Sequence, residues 1–449
     1  MLVNNRTKPD CSVAVFTRYP SPGYTKTRLI PALGQRGAAR LQHKMTANVL
    51  QQAVSVLPAH NIQVFFQGGS KQEMRLLYGF NFKYRVQAPG NLGDKMYAAF
   101  KNSFSSGKSR VVLIGADCPG ITPEILDRAL QLLKDRRMVL GPALDGGYYL
   151  LGLHNSLGLN QIHKLLTGID WGTEKVLDQT VQIAGQIGMK PCYLQYLQDI
   201  DSPGDLDSPD IPYVKEQNPG ISVILPALNE QSRLGETLDT LSSPDNVEII
   251  VADGGSTDST IPVTEQKGAR VVQSPPGRAR QMNLAAKSAT GSVLLFVHAD
   301  TQMPFLYEHF LRNCINRQKI VGGSFGFGLD ANVPGARLLT FLVNLRSKYL
   351  KLPYGDQAMF VRSDVFQSLG GFPDIPILED LQLAIKMKRC GKTTQLPVQV
   401  RTSSRRWKEL GLLKTTWIHQ KMLLGSLLGL SYPTLKRLYQ RAAAKKQDS

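Results

Sequence analysis

The sequence predicts an α/β protein made of two successive open, mostly parallel sheets, each flanked by helices. Three observations carry that expectation. SVAVF (12–16) and ISVILP (221–226) are short, β-branched apolar runs of the kind that form strands buried on both faces. Each is followed by a loop and a helical stretch, 38–57 in the first half and 233–241 in the second. Each half then repeats an apolar strand ending on an aspartate, RVVLIGAD (110–117) and SVLLFVHAD (292–300). Strands alternating with helices, with carboxylates just past the strand ends, read as open sheets whose ligands sit at the carboxyl edges.

A chain of 449 residues exceeds the size at which one core usually keeps growing, which favours two domains. A hydrophobic share of 42% and a charged share of 20% belong to folded chains and exclude disorder. The stretch DSPGDLDSPDIPYVKEQNPG (201–220) has no periodicity and is rich in proline, so it suits either a domain boundary or a surface loop closing the first domain. The expected organisation is a first domain over 1–213, a linker over 214–219, a second domain over 220–410 and a basic amphipathic region over 411–449. The five cysteines lie far apart without C-x-x-C spacing, which argues against a disulfide framework and a structural zinc site. With no signal-peptide pattern at the start, the expected location is the cytoplasm.

Net charge is +18, and residues 401–449 hold eleven Lys and Arg against Glu409 and Asp448. Such a field suits phosphorylated ligands or anionic headgroups. No nucleic-acid recognition motif or aromatic-basic platform accompanies it, so nucleic acid is not an expected partner. The apolar run MLLGSLLGL (422–430) is too short to span a bilayer. Leu412, Leu413, Trp417, Leu423, Leu424, Leu427 and Leu428, with Lys414, Lys421, Lys436, Arg437 and Arg441, suit a helix lying on an anionic membrane surface at the cytoplasmic face, or equally a core helix.

In the second half, Glu230 follows the first strand, and Asp253 ends the strand in VEIIVADGGSTDST (247–260). A strand-end carboxylate beside glycines can accept hydrogen bonds from a base or ribose, and serves equally as a cap or turn residue. Asp300 follows another strand, where a carboxylate can share Mg²⁺ or Mn²⁺ with a diphosphate or complete a turn. Glu379 and Asp380 open a helix with a basic end, which suits dipole complementarity as well as a general base.

The order PALNE, ADGGSTD, GRARQMNLAAKSATG, HAD, GDQAMFVRSDVFQSLGGF, LEDLQLAIKMKRCGK and RRW resembles glycosyltransferase family 2 over most of 220–410, and within it the radical-SAM/selenodomain-associated transferase 2 subgroup. The resemblance implies a nucleotide-diphospho-sugar transferase (GT-A-like) fold and inverting transfer from a nucleotide sugar to a small-molecule or lipid-like hydroxyl acceptor. By that resemblance, Pro226, Glu230 and Asp253 surround the nucleoside, Arg278 lies near the base, and Asp300 binds a divalent metal. Asp380 is the general base, Glu379 supports it, and Arg406 and Trp407 cover the diphosphate and acceptor. The family's Asp-x-Asp stands here as His298-Ala299-Asp300, which lowers the expected metal affinity.

The first half carries Arg18, Lys26 and Arg28 in a Pro-Gly loop after its first strand, which reads as a phosphate cradle or a solvated basic loop. Asp117 and Asp145 lie after later strands and suit a shared metal or turns. With NLGDKMYAAF, IDWGTEKVL and DIDSPGDL, these segments resemble the radical-SAM/selenodomain-associated transferase 1 subgroup. That subgroup is similar to small nucleotidyltransferases such as phospholactate guanylyltransferase, which implies a second GT-A-like domain that makes or handles an activated precursor. The Pro-Gly-x-x-Lys-x-Arg loop departs from the glycine-rich triphosphate loop of those enzymes.

Overall fold

The computed structural model describes residues 10–208, 220–241, 246–316, 320–329 and 335–404, then Trp407, 417–418, 421–422, 424–426 and 428–444. The chain divides into two compact units, Met1–Glu216 and Gln217–Ser449. The expected linker, 214–219, lies outside the described residues.

The first unit is built on β1 (Cys11–Arg18), β2 (Ile62–Gln67), β3 (Lys83–Val86), β4 (Arg110–Gly115), β5 (Met138–Pro142), β6 (Tyr148–His154) and β7 (Cys192–Tyr193). They form one sheet in the order β3-β2-β1-β4-β6-β5-β7. The first four strands run parallel, and β6 is antiparallel to both its neighbours. Helices α1 (Ile30–Val56), α2 (Lys71–Tyr78), α3 (Leu92–Ser105), α4 (Pro123–Leu132), α5 (Leu159–Leu165) and α6 (Val176–Gln186) connect them.

Alternate side chains of a strand face opposite sides of its sheet. Val13 and Val15 of β1 accordingly join Val112 and Ile114 in one core layer, while Ala14 and Phe16 join Val111 and Leu113 in the other. α1 begins at Ile30, earlier than the predicted 38, because Pro31 suits a first helical turn. Gly34, at φ +68°, kinks the chain before the regular helix resumes.

The second unit repeats the plan with β8 (Ile221–Ala227), β9 (Val247–Asp253), β10 (Arg270–Gln273), β11 (Val293–Phe296), β13 (Ile320–Gly326), β14 (Met359–Arg362) and β15 (Lys392–Gln399). Its order is β10-β9-β8-β11-β14-β13-β15, and the short strands β12 (Thr301–Gln302) and β16 (Arg401–Thr402) pair separately. In both units the first four sheet strands stand in the order third, second, first, fourth and run parallel. The helices are α7 (Gln231–Leu241), α8 (Thr260–Gln266), α9 (Arg278–Lys287), α10 (Tyr307–Ile315), α11 (Ala336–Leu350), α12 (Ser363–Ser368), α13 (Glu379–Cys390) and α14 (Tyr432–Ala444). The expected fold class, two mostly parallel α/β sheets with flanking helices, is met.

Towards the carboxy terminus the apolar residues divide. Ile418, Met422 and Leu435 are buried and pack with Ile377, Leu378, Tyr432 and Tyr439, whereas Trp417, Leu424 and Leu428 are exposed. Leu412, Leu413, Lys414, Leu423 and Leu427 lie outside the described residues. Among the described residues no helix is long and apolar enough to cross a membrane.

One buried amide fixes the ends of β8 and β9. Gln281 of α9 donates through Nε2 to the carbonyls of Ala227 and Ala252, each at 2.8 Å. Gln281→Leu removes a bond from both carbonyls and is expected to lower the stability of the second unit by about 2 kcal/mol, read by chemical denaturation.

Candidate functional site

In the second unit the chain leaves β8 towards β9 and later returns on its other side as β11, so a crevice opens beyond the carboxyl ends of these strands. Pro226 is buried within β8, in register with Ala252. Two loops meet at the edge. The N–H of Asn229 donates to Ser256 Oγ at 2.9 Å, that of Glu230 to Thr260 Oγ1 at 2.8 Å, and that of Thr257 to Asn229 Oδ1 at 2.9 Å. Asn229 holds φ +54°, a left-handed conformation that asparagine tolerates better than most residues.

Asp253 is the buried terminal residue of β9. Its Oδ2 accepts the N–H groups of Gly255 at 2.9 Å and Ser256 at 3.0 Å. Its Oδ1 has no hydrogen-bond partner among the described residues, although it is shielded from solvent. A buried carboxylate oxygen left in that state is a free acceptor awaiting a donor.

Asp300 follows β11, with Arg233 Nη1 3.9 Å from its Oδ2. Asp380, in the first turn of α13, accepts the N–H of Gly355 at Oδ2 (2.5 Å) and that of Leu381 at Oδ1 (2.7 Å). A Cβ on Gly355 would lie 2.7 Å from His298 Nε2 and 3.2 Å from Asp380 Oδ2, so glycine here lets the β11 exit and the start of α13 close on one another. Glu379 is buried beside Asp380, and Arg278, at the start of α9, reaches to 3.9 Å from its Oε1. Burial and the charge of Asp380 push the Glu379 pKa above the usual range, against the pull of Arg278. Trp407 is buried against Phe327 and Leu339, with ring centroids 5.7 Å apart for the two aromatics. It lies in a packing cluster with Leu339 and Val343 of α11. Arg406 lies outside the described residues.

The first unit closes its corresponding edge differently. Arg18 is exposed at the end of β1, and Lys26 takes a left-handed conformation at φ +50°. The buried Lys26 ammonium donates to the Ile200 carbonyl at 2.5 Å and to Asp201 at 3.1 Å, and pairs with Asp117 at 3.0 Å. Burial alone would lower the Lys26 pKa, but the carboxylates of Asp117 and Asp201 outweigh it and raise it. Arg28 pairs with the outer oxygen of Asp201 at 2.8 Å. Asp145 accepts the N–H of Gly147 at 2.8 Å in the β5–β6 turn. The half-buried Asp199 is pushed up to about 6, first by burial and then by the charge of Asp145, with a smaller push from Asp201.

Residues 199 and 201 were not singled out in the sequence as site residues, and Gly355 was not either. The signal for the two aspartates was present in DIDSPGDL, an acidic Pro-Gly turn. Among the described residues no group of three or more His, Cys, Asp or Glu is placed to hold a metal ion.

Two family profiles match the chain. One, "Glycosyl transferase family 2", covers residues 222–369, and the other, "Uncharacterized protein conserved in bacteria (DUF2064)", covers residues 45–173. "Probable glycosyltransferase YdaM" of Bacillus subtilis (strain 168) is 24% identical over 200 residues, 38% of this chain and 47% of that protein. "Glucosyl-3-phosphoglycerate synthase" of Mycolicibacterium paratuberculosis (strain ATCC BAA-968 / K-10) is 34% identical over 96 residues, 19% of this chain and 29% of that protein. The chain thus spans less than half the length of these curated relatives. A solved structure from Desulfovibrio desulfuricans G20, provisionally assigned as a nucleotide-diphospho-sugar transferase, is 28% identical with a TM-score of 0.40, over 44% of this chain and 89% of that one.

The Asp199 environment has a pH signature. A carboxyl whose folded pKa exceeds its unfolded value favours the folded state only while protonated, and that contribution is lost as pH rises from about 4 to about 6. Asp199→Asn is therefore expected to stabilise the first unit at pH 7, by about 1 kcal/mol after allowance for solvent screening of a part-exposed group. The gain should vanish below pH 4 in thermal denaturation followed across pH.

Proposed function

We propose that the second unit is an inverting glycosyltransferase that moves a sugar from a nucleotide sugar to a hydroxyl acceptor. The observation that carries this reading is the buried, unpartnered Oδ1 of Asp253 at the strand-end crevice, a free acceptor suited to a nucleoside N–H or ribose hydroxyl. The match to the glycosyl transferase family 2 profile over residues 222–369 supports the same reading.

In the proposed reaction Asp380 takes the proton of the acceptor hydroxyl. The resulting oxygen attacks the anomeric carbon from the face opposite the leaving group, and the bond to the nucleoside diphosphate breaks with its electron pair going to the diphosphate oxygen. Pro226, Glu230 and Asp253 line the nucleoside with Arg278 near the base, and Arg233, beside Asp300, offers positive charge to the diphosphate. Asp300 would hold Mg²⁺ or Mn²⁺. Such an ion, when bound, would supply positive charge against the leaving diphosphate. The solved glucosyl-3-phosphoglycerate synthase of Mycobacterium tuberculosis, 22% identical with a TM-score of 0.35 over 47% of this chain and 80% of that one, holds Mn²⁺ and uridine diphosphate.

The first unit is proposed to be nucleotidyltransferase-like, making or handling an activated precursor through Lys26, Arg28, Asp117 and Asp145. A second reading, a regulatory nucleotide-binding module beside a single glycosyltransferase, is favoured by the engagement of Lys26, whose ammonium is already paired with Asp117 and Asp201. The acceptor is proposed to be a small molecule or lipid-like, with the enzyme at the cytoplasmic membrane face.

Two variants separate the roles in the second unit. Asp380→Asn should lower transfer at least about a hundredfold with donor binding kept, because an amide cannot take the proton. Asp300→Ala should instead weaken metal-dependent donor binding in calorimetry, and equal binding by both variants would dismiss the division. In the first unit, Lys26→Ala should abolish nucleotide handling without slowing transfer of a supplied donor; slowed transfer would mean that the two units work as one.

A further inference from the structure

Helix α11 packs Leu339 and Val343 on Phe327 and Trp407. Polar side chains share that inward side: Asn344 accepts the Phe327 N–H at 2.7 Å and donates to the Phe327 carbonyl at 2.9 Å, and Ser347 donates to Gln357 Oε1 at 2.7 Å. Arg346 lies over the Tyr354 ring at 3.9 Å. Six further large apolar side chains face outward: Leu338, Phe341, Leu342, Leu345, Tyr349 and Leu350 are all exposed, Leu338, Phe341 and Tyr349 by more than 60%. The spacing 338, 341, 342, 345, 349 places five of them on one helical stripe. A contiguous exposed apolar stripe of this kind marks an interaction surface.

The charges around it point to the occupant. Arg337, Lys348, Lys388 and Arg389 are exposed, with the Lys388 Nζ 3.3 Å from the Leu350 carbonyl, and no Asp or Glu occurs between Gly335 and Gly355. An exposed apolar stripe on a helix that carries cations and no carboxylate matches an anionic phospholipid bilayer. Two copies of the same face would bring those cations together, which disfavours a dimer through it. The helix also leads directly into the candidate site: five residues beyond Leu350, Gly355 donates its N–H to Asp380.

We infer that α11 docks on an anionic bilayer and thereby presents membrane-borne hydroxyl acceptors to Asp380. The acceptor part of this inference rests on the glycosyltransferase reading, whereas the docking does not. The test uses the purified full chain and vesicles of phosphatidylglycerol and phosphatidylcholine in equal parts. Wild type should sediment with them, and Phe341→Glu with Leu345→Glu should weaken partitioning by at least about tenfold at unchanged melting temperature. A second variant, Leu424→Glu with Leu428→Glu, separates α11 from the carboxy-terminal segment.

Docking through α11 is overturned if wild type stays in the supernatant, or if the α11 variant sediments like wild type. It is also overturned if only the second variant is released, or if size-exclusion chromatography shows a wild-type dimer that the α11 variant dissolves. Hydrolysis of nucleotide sugars measured without vesicles reports on the glycosyltransferase reading separately. Sedimentation lost in the α11 variant beside absent hydrolysis in wild type would uphold the docking and remove the acceptor assignment.

Discussion

A parallel strand buried on both faces ends with backbone groups that its neighbours can no longer pair, and both units are organised around that constraint. In the second unit Gln281 takes the carbonyls of Ala227 and Ala252, the Gly254 N–H also donates to Ala227, and the Val297 N–H donates to Ile224. In the first unit the Ala116 N–H donates to Phe16 and the Tyr19 N–H to Gln67. With the main-chain ends paired in this way, Asp253 shapes the following turn with one oxygen only: Oδ2 accepts the Gly255 and Ser256 N–H groups, while Oδ1 is left without a partner among the described residues.

The two units differ in where they place positive charge at that edge. The first brings Lys26 in among carboxylates, so its ammonium is buried and already neutralised by Asp117 and Asp201. The second keeps Arg233 and Arg278 at 3.9 Å from Asp300 and Glu379, too far for a strong hydrogen bond, and the Arg278 side chain remains 55% exposed. The same plan of strands therefore yields one edge whose central cation is buried in close ion pairs and one whose arginines stand off their carboxylates.

Much of this was legible in the sequence because it is local. Short apolar runs locate β1 and β8, and the aspartates after RVVLIGA and VEIIVA fall at strand ends as their patterns require. What the sequence withheld is long-range. The Lys26 ammonium meets Asp201 across 175 positions, and Gly355 meets Asp380 across 25, through folding of the chain that no periodicity encodes. Trp407 packs with Phe327 and Leu339, a contact across more than sixty positions that SSRRW does not show.

Helix α11 shows why a period alone does not assign a face. An apolar stripe at helical spacing says only that one side differs from the other, and the usual inference that the apolar side turns inward assumes an apolar neighbour. Here the neighbouring backbone at Phe327 presents both an N–H and a carbonyl, which a leucine could not satisfy and Asn344 does. Gln395 of β15 adds a further bond to the same Asn344 Oδ1 at 2.8 Å, so turning the helix over would strand polar groups at Phe327 and Gln395 at once. Satisfying those groups, with Leu339 packed on Phe327 and Trp407, fixes the rotation of the helix about its axis, and Leu338, Phe341, Leu342, Leu345 and Tyr349 are left facing outward as the consequence.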